Sequence, residues 1–88
     1  MASYIVIYEG AAGSDARARL REAVKNYPGW GVITSSSWVV VADLKAIALR
    51  DELRRIIGPS DKLFVVRSGV EAAWQSVAAN SEWLKRNL

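Results

Sequence analysis

The stretch Tyr4-Ile5-Val6-Ile7-Tyr8, closed by Glu9-Gly10, decides how this 88-residue chain folds. It is a continuous apolar run, rich in β-branched and aromatic residues, and a turn signal ends it at once. With apolar side chains on both faces it reads as a central strand covered on each side, or on one side plus a partner. Every later element has to lie beside or across it. A single carboxylate, Glu9, stands where the strand runs out.

Working outward, Ala11 to Asp15 form a small-residue connector. Ser14 suits the N-cap of a helix and Asp15 its positive dipole end. The spacing predicts a helix over Asp15 to Asn26, with Ala16, Leu20, Ala23, Val24 and Tyr27 as its buried stripe. Pro28-Gly29 stops it. Trp30 to Asp43 holds two apolar halves interrupted by Ser35-Ser36-Ser37. They read either as two strands joined by a tight turn or as one long strand bulged at the serines.

A second helix is expected from Asp43, as its cap, to Ile57, with Ala46, Leu49, Leu53, Ile56 and Ile57 inside and an Asp51–Arg55 ion pair outside. Gly58-Pro59 ends it. Leu63 to Val66 are the next strand. The tail holds Trp74 in a short helix or irregular turn. Ser81 is expected to cap a last helical segment with Glu82 and Arg86 at pair spacing.

The order strand, helix, strand-strand, helix, strand predicts a single α+β domain: a ferredoxin-like βαββαβ sandwich over residues 1–68 and a helical tail over 69–88. Two helices cover one face of an antiparallel sheet. The first and last core strands are expected side by side in its middle. The other face needs a cover, supplied by the tail through Trp74 and Trp83 or by a second copy of the chain.

The chain contains no His and no Cys. A disulfide, a thiolate metal site and the commonest general base are thereby excluded, and any metal would need oxygen ligands, as magnesium, manganese or calcium accept. A serine hydrolase built on Ser35 to Ser37 lacks a base to activate it. No apolar run is long enough for a membrane span or the core of a signal segment, so a soluble, cytoplasmic protein is expected. The formal net charge of +3 permits a polyanionic partner without requiring one.

Two features carry candidate chemistry. Glu9, at the lip of the first strand, could bind a divalent ion, above all if two copies met across a dimer axis. Arg17, Arg21 and Lys25 recur at four-residue spacing on one helix face, so their charges stand about 6 Å apart, near the repeat of a phosphodiester backbone. They are the candidate nucleic-acid contacts.

On the opening Tyr4-Ile5-Val6-Ile7-Tyr8-Glu9, the step Ser36-Ser37-Trp38, the helix Asp43 to Ile57 and the strand Leu63 to Arg67, the chain resembles the CRISPR-associated endoribonuclease-like family. These are the small ferredoxin-like subunits of the CRISPR adaptation machinery. The resemblance covers roughly residues 3–68. It implies a homodimer associated with DNA or RNA and a magnesium- or manganese-binding acid at Glu9. The family carries Asp there, one methylene shorter, a difference that bears on metal-dependent phosphodiester cleavage. A non-catalytic protein-interaction or toxin–antitoxin-type module is the alternative that uses no nucleic acid. A small phosphate-ester enzyme of the acylphosphatase kind shares the fold, but its glycine-rich anion loop is missing.

Overall fold

The computed structural model describes residues 1–11, 14–69 and 71–88; the connector positions Ala12 and Gly13 and the tail position Val70 lie outside them. Strand β1 (Ala2–Glu9) is followed by helix α1 (Ala16–Val24) and strands β2 (Gly29–Thr34) and β3 (Ser37–Ala42). Helix α2 (Ala46–Leu53), strand β4 (Lys62–Arg67) and helix α3 (Ser81–Asn87) complete the order. The strands form one four-stranded sheet in the order β2-β3-β1-β4, with every neighbouring pair antiparallel. This is the ferredoxin-like α+β architecture, with a helical tail added.

The alternation of β1 sorts its side chains between two layers. Tyr4, Val6 and Tyr8 are buried and join Trp38, Val40 and Ala42 of β3 in one core with Leu20 and Val24 of α1 and Leu49 and Leu53 of α2. The intervening Ile5 and Ile7 point to the opposite face, opposite Val39 and Ser37 across the β3 ladder. The turn after α1 is tied to α2 by the Tyr27 hydroxyl, which donates to Glu52 Oε1 at 2.7 Å. Tyr4 anchors β1 to the entry of α2, its hydroxyl donating to the Leu44 carbonyl at 2.6 Å.

β1 is interior, as its two apolar faces require, and Leu63 to Val66 are its immediate neighbours. β4 itself is not interior, however. β3 shares the centre with β1, and β4 forms a sheet margin. The crossover through α2 carries the chain past β1 to its far side, a placement that apolar composition does not reveal. The serines resolve as a hairpin: Ser35 and Ser36 make the turn and Thr34 pairs with Ser37, with an irregularity between Val32 and Thr34. The turn is clasped by the Thr34 and Ser37 hydroxyls, 2.5 Å apart.

Several local expectations are corrected. Asp43 does not cap α2, which starts at Ala46 after an extended Lys45 with no side-chain cap. Tyr4 holds the Leu44 carbonyl just ahead of that start. Asp51 pairs with Arg50 at 2.8 Å and Arg54 at 3.6 Å rather than with Arg55, because regular helix ends at Leu53 and Arg55 lies beyond its last turn. The N-cap of α1 is Asp15, with no side-chain cap bond, rather than Ser14, which stands one residue earlier and accepts from the Ala16 amide at 3.1 Å. In the tail the cap is Asn80, not Ser81: its side chain accepts from the Trp83 amide at 3.1 Å. Glu82 pairs with Lys85 at 3.7 Å in place of Arg86.

The tail folds back over the second face of the sheet. Gly29 and Gly31 sit opposite Val41 and Val39 on β3 and leave a shallow lane there. The Trp83 ring fills it: a Cβ on Gly31 would stand 3.1 Å from Trp83 Cζ3 and 3.3 Å from Ala79 Cβ. Leu84 is buried on the same helix. Trp74 is half-buried, and its indole N–H donates to Ser81 Oγ at 3.3 Å. The cover is partial. Towards β4 the face carries Ile7, Phe64 and Val66, which remain 45%, 60% and 43% exposed.

Candidate functional site

The end of β1, the start of α1 and the β2–β3 turn meet at one lip of the molecule. Tyr8 fixes the geometry from below. Its hydroxyl donates to Asp61 Oδ2 at 3.0 Å, and the same oxygen accepts from the Gly58 amide at 2.8 Å. Burial and the Asp61 carboxylate push the Tyr8 phenol above its ordinary pKa. The hydroxyl lies so close to Gly10 that a Cβ there would overlap it, so only glycine lets the chain leave β1 over this ring. The Tyr8 amide donates to the Ser36 carbonyl at 2.9 Å, which clamps the serine turn to β1.

Two adjoining cavities open at this lip. One, of about 430 Å³, is lined by Glu9, Gly10, Ser14, Arg17 and Ser36 among others. The second, of about 440 Å³, lies between α1 and the turn; Arg17, Arg21, Ser35 and Ala78 border it, and Val32 and Trp38 contribute its apolar wall. Arg17 and Ser14 belong to both. Two of the predicted site groups, Glu9 and Arg17, are thus brought to one cleft, and Arg17 and Arg21 to the next.

Their electrostatic situations differ. Glu9 is exposed and engaged: Lys62, its register partner on β4, donates to its Oε1 at 2.9 Å. That hydrogen bond first, and the ammonium charge second, hold the Glu9 carboxyl below the ordinary carboxylate value and raise Lys62 in return. Among the described residues no group of three or more acidic, His or Cys side chains is placed to hold a metal ion. A lone carboxylate already satisfied by an ammonium is a poor fit for a divalent cation, which would recruit several oxygens.

Arg17 and Arg21 are exposed, and neither makes an ion pair among the described residues. The third member of the predicted row is occupied elsewhere. Lys25 lies just past the end of α1, pairs with Glu22 at 2.9 Å and sits 5.6 Å above the Trp30 ring. The cation–π contact and the ion pair engage its charge, unlike those of the other two. Arg19, between them in sequence, is bonded to Asp15 and to the Ile56 carbonyl.

The sequence left Trp38 open between the core and a dimer interface; the structure places it in the core. The residue is fully buried, yet it borders the Arg17–Arg21 cavity, and its indole N–H has no hydrogen-bond partner.

By its fold the chain is a small ferredoxin-like protein with an accessory C-terminal helix. No family model and no curated protein matches it. Among the described residues no helix is long and apolar enough to cross a membrane.

Proposed function

We propose that the protein binds polyanions, with nucleic acid as the partner class, through the face formed by Arg17 and Arg21. One observation carries this reading: two exposed guanidinium groups on consecutive turns of α1 lack acidic partners among the described residues and border adjoining cavities. Arg19 and Lys25, the other cations of this segment, are neutralised within the chain. Lys45, Arg55, Arg67 and Arg86 also make no ion pair among the described residues, but they do not border these two cavities. Unneutralised guanidinium groups release counterions when they meet phosphates, so binding falls steeply with salt. The likeness to the CRISPR-associated endoribonuclease-like family leads to the same partner class. Glu9 is a structural ion-pair partner of Lys62 in this reading, and no hydrolytic step is assigned to it.

The test is salt-dependent binding of DNA and RNA. Replacing Arg17 and Arg21 with Gln should weaken binding and lower the salt slope by about one for each phosphate left without its arginine. Lys25→Gln should change it little. Binding and slope unaffected by the double replacement would refute the assignment.

A second reading has its own observation. The uncovered strip of Ile7, Phe64 and Val66 lies beside the β4 margin, where apolar side chains and free backbone groups coincide. We propose that a second copy of the chain docks there, giving the homodimer. The strip is small beside the roughly 800 Å² per partner of a standard interface, so the dimer is a concentration-dependent one. Sedimentation of the Phe64→Lys variant should show a monomer at protein concentrations where the unmodified chain associates. Identical sedimentation would dismiss this interface.

A further inference from the structure

The hydrogen-bond parity of the sheet fixes which backbone groups β4 turns outward. The Tyr8 amide donates to the Ser36 carbonyl, so the even-numbered residues of β1 bond to β3 and the odd-numbered ones to β4. The Ser68 amide donates to the Ser3 carbonyl at 2.8 Å, in agreement: Ser3, Ile5, Ile7 and Glu9 bond to Ser68, Val66, Phe64 and Lys62. The amides and carbonyls of Leu63, Val65 and Arg67 therefore point away from the sheet. Among the described residues nothing receives them, since β4 is the last strand in the order. The opposite margin differs: there the Ala78 amide of the tail reaches the Ile33 carbonyl on β2 at 3.5 Å. Sheet margins are commonly blunted by a bulge or an unpaired Lys. β4 follows β1 without a register shift, and its Lys62 is held by Glu9.

We propose that β4 pairs antiparallel with β4 of a second copy, joining two four-stranded sheets into one across a two-fold axis at Val65. The inference rests on the reading of Ile7, Phe64 and Val66 as a contact between copies and adds how the copies join. Only registers that set outward-facing residues opposite one another can bond, which leaves the axis at Phe64, Val65 or Val66. With the axis at Val65, Val65 meets its own copy and Leu63 meets Arg67, so every outward residue bonds. Phe64 then stands opposite Val66. The two exposed apolar side chains of β4 meet on the face where Ile7 lies beside them. Lys62 stands opposite Ser68, and no like charges face each other. An axis at Phe64 draws in Asp61, whose amide already donates to the Gly58 carbonyl at 3.1 Å. An axis at Val66 sets Phe64 opposite Ser68 and runs past the end of β4. The strand is thus complementary to itself, which singles out a second copy as the occupant. Main-chain bonds supply what the small apolar area lacks.

Hydrogen exchange followed by NMR on the unmodified chain, alongside sedimentation, tests the pairing. From dilute to concentrated samples the Leu63, Val65 and Arg67 amides should slow by about tenfold or more, as association removes them from water. The Phe64 and Val66 amides are already bonded to β1, so the largest change should fall on alternate residues. Val65→Pro removes an N–H that the single chain leaves unbonded, a replacement that margin strands tolerate. It should give a folded monomer at concentrations where the unmodified chain associates. The exchange measurement needs no replacement, so it decides even where that variant folds poorly.

Association that persists while these amides exchange equally fast at every concentration overturns the pairing; the copies then meet through the Phe64 strip alone, and the dimer reading stands. A folded Val65→Pro chain that still associates overturns it likewise. A chain that stays monomeric throughout overturns both the pairing and the dimer reading.

Discussion

Replacing Gly31 with Ala tests how the tail covers the sheet. The new Cβ would lie 3.1 Å from Trp83 Cζ3 and 3.3 Å from Ala79 Cβ, so the tail must retreat by a few tenths of an ångström. Overpacking of this kind costs about 1–3 kcal/mol. Ala in place of Gly within a strand returns about 0.5–1 kcal/mol through the unfolded chain. The net expectation is a loss of about 1 kcal/mol, or roughly 4–8 °C in melting temperature for a domain of this size. The sign should reverse once the ring is removed. In a Trp83→Ala background the new methyl meets open space on the ring side, and Gly31→Ala should stabilise by about 0.5 kcal/mol. The coupling between the two sites is then about 1.5 kcal/mol, within the range for residues in contact. Urea unfolding followed by far-ultraviolet circular dichroism measures it without relying on Trp fluorescence. If Gly31→Ala has the same effect with and without Trp83, the ring does not rest on the glycine lane.

Other expectations follow from the same contacts. Leu84→Ala, at a fully buried tail position, should lose about 3 kcal/mol in the same urea assay. Tyr4→Phe deletes the donor to the Leu44 carbonyl and should cost about 1 kcal/mol, with little change in the far-ultraviolet spectrum. Glu9, Glu22 and Asp51 are all held below their ordinary carboxylate values by basic neighbours. Their contribution is complete above the unfolded values near pH 4 and is lost as pH falls through the lower folded ones; melting temperature should decline there, and Lys62→Met should remove the Glu9 share. Tyr27, raised by burial first and Glu52 second, acts in the opposite sense. Its share of stability is present below pH 10 and is lost as pH rises further, and Tyr27→Phe should flatten the alkaline limb of the melting profile.

How much the sequence disclosed depended on whether a feature was local. The inner stripes of both helices were legible, since Leu20, Val24, Leu49 and Leu53 recur at helical spacing and are buried in the core. So was the interior place of β1. The margin position of β4 was not, because Leu63-Phe64-Val65-Val66 is as apolar on both faces as β1. Composition records that a face could be covered, while connectivity determines whether it is. Ion pairs were misplaced for a related reason. Helical spacing offers several partners, and the choice among them turns on where the helix stops, as it does for Asp51. The serine turn carries no Asn-Gly or Asp-Gly signal, since its clasp is a Thr34–Ser37 side-chain bond. One tail contact was readable in principle. Gly29-x-Gly31 puts two glycines on the same face of a strand, and two missing side chains in line make a lane for a ring.

The basic row shows the same limit at the candidate site. Four-residue spacing placed Arg17, Arg21 and Lys25 on one helix face, yet charge does its work according to what lies opposite it. Trp30 and Glu22 engage Lys25, while the cavities leave Arg17 and Arg21 to solvent. The acid Glu9 was expected at the lip of the sheet and is there, but Lys62 reaches it from β4 and neutralises it. Both outcomes follow from the antiparallel ladder. Pairing β4 with β1 brings Lys62 opposite Glu9, and closing the β2–β3 hairpin puts Trp38 behind the arginines. The sheet that quiets the acid therefore also builds the wall behind the cations.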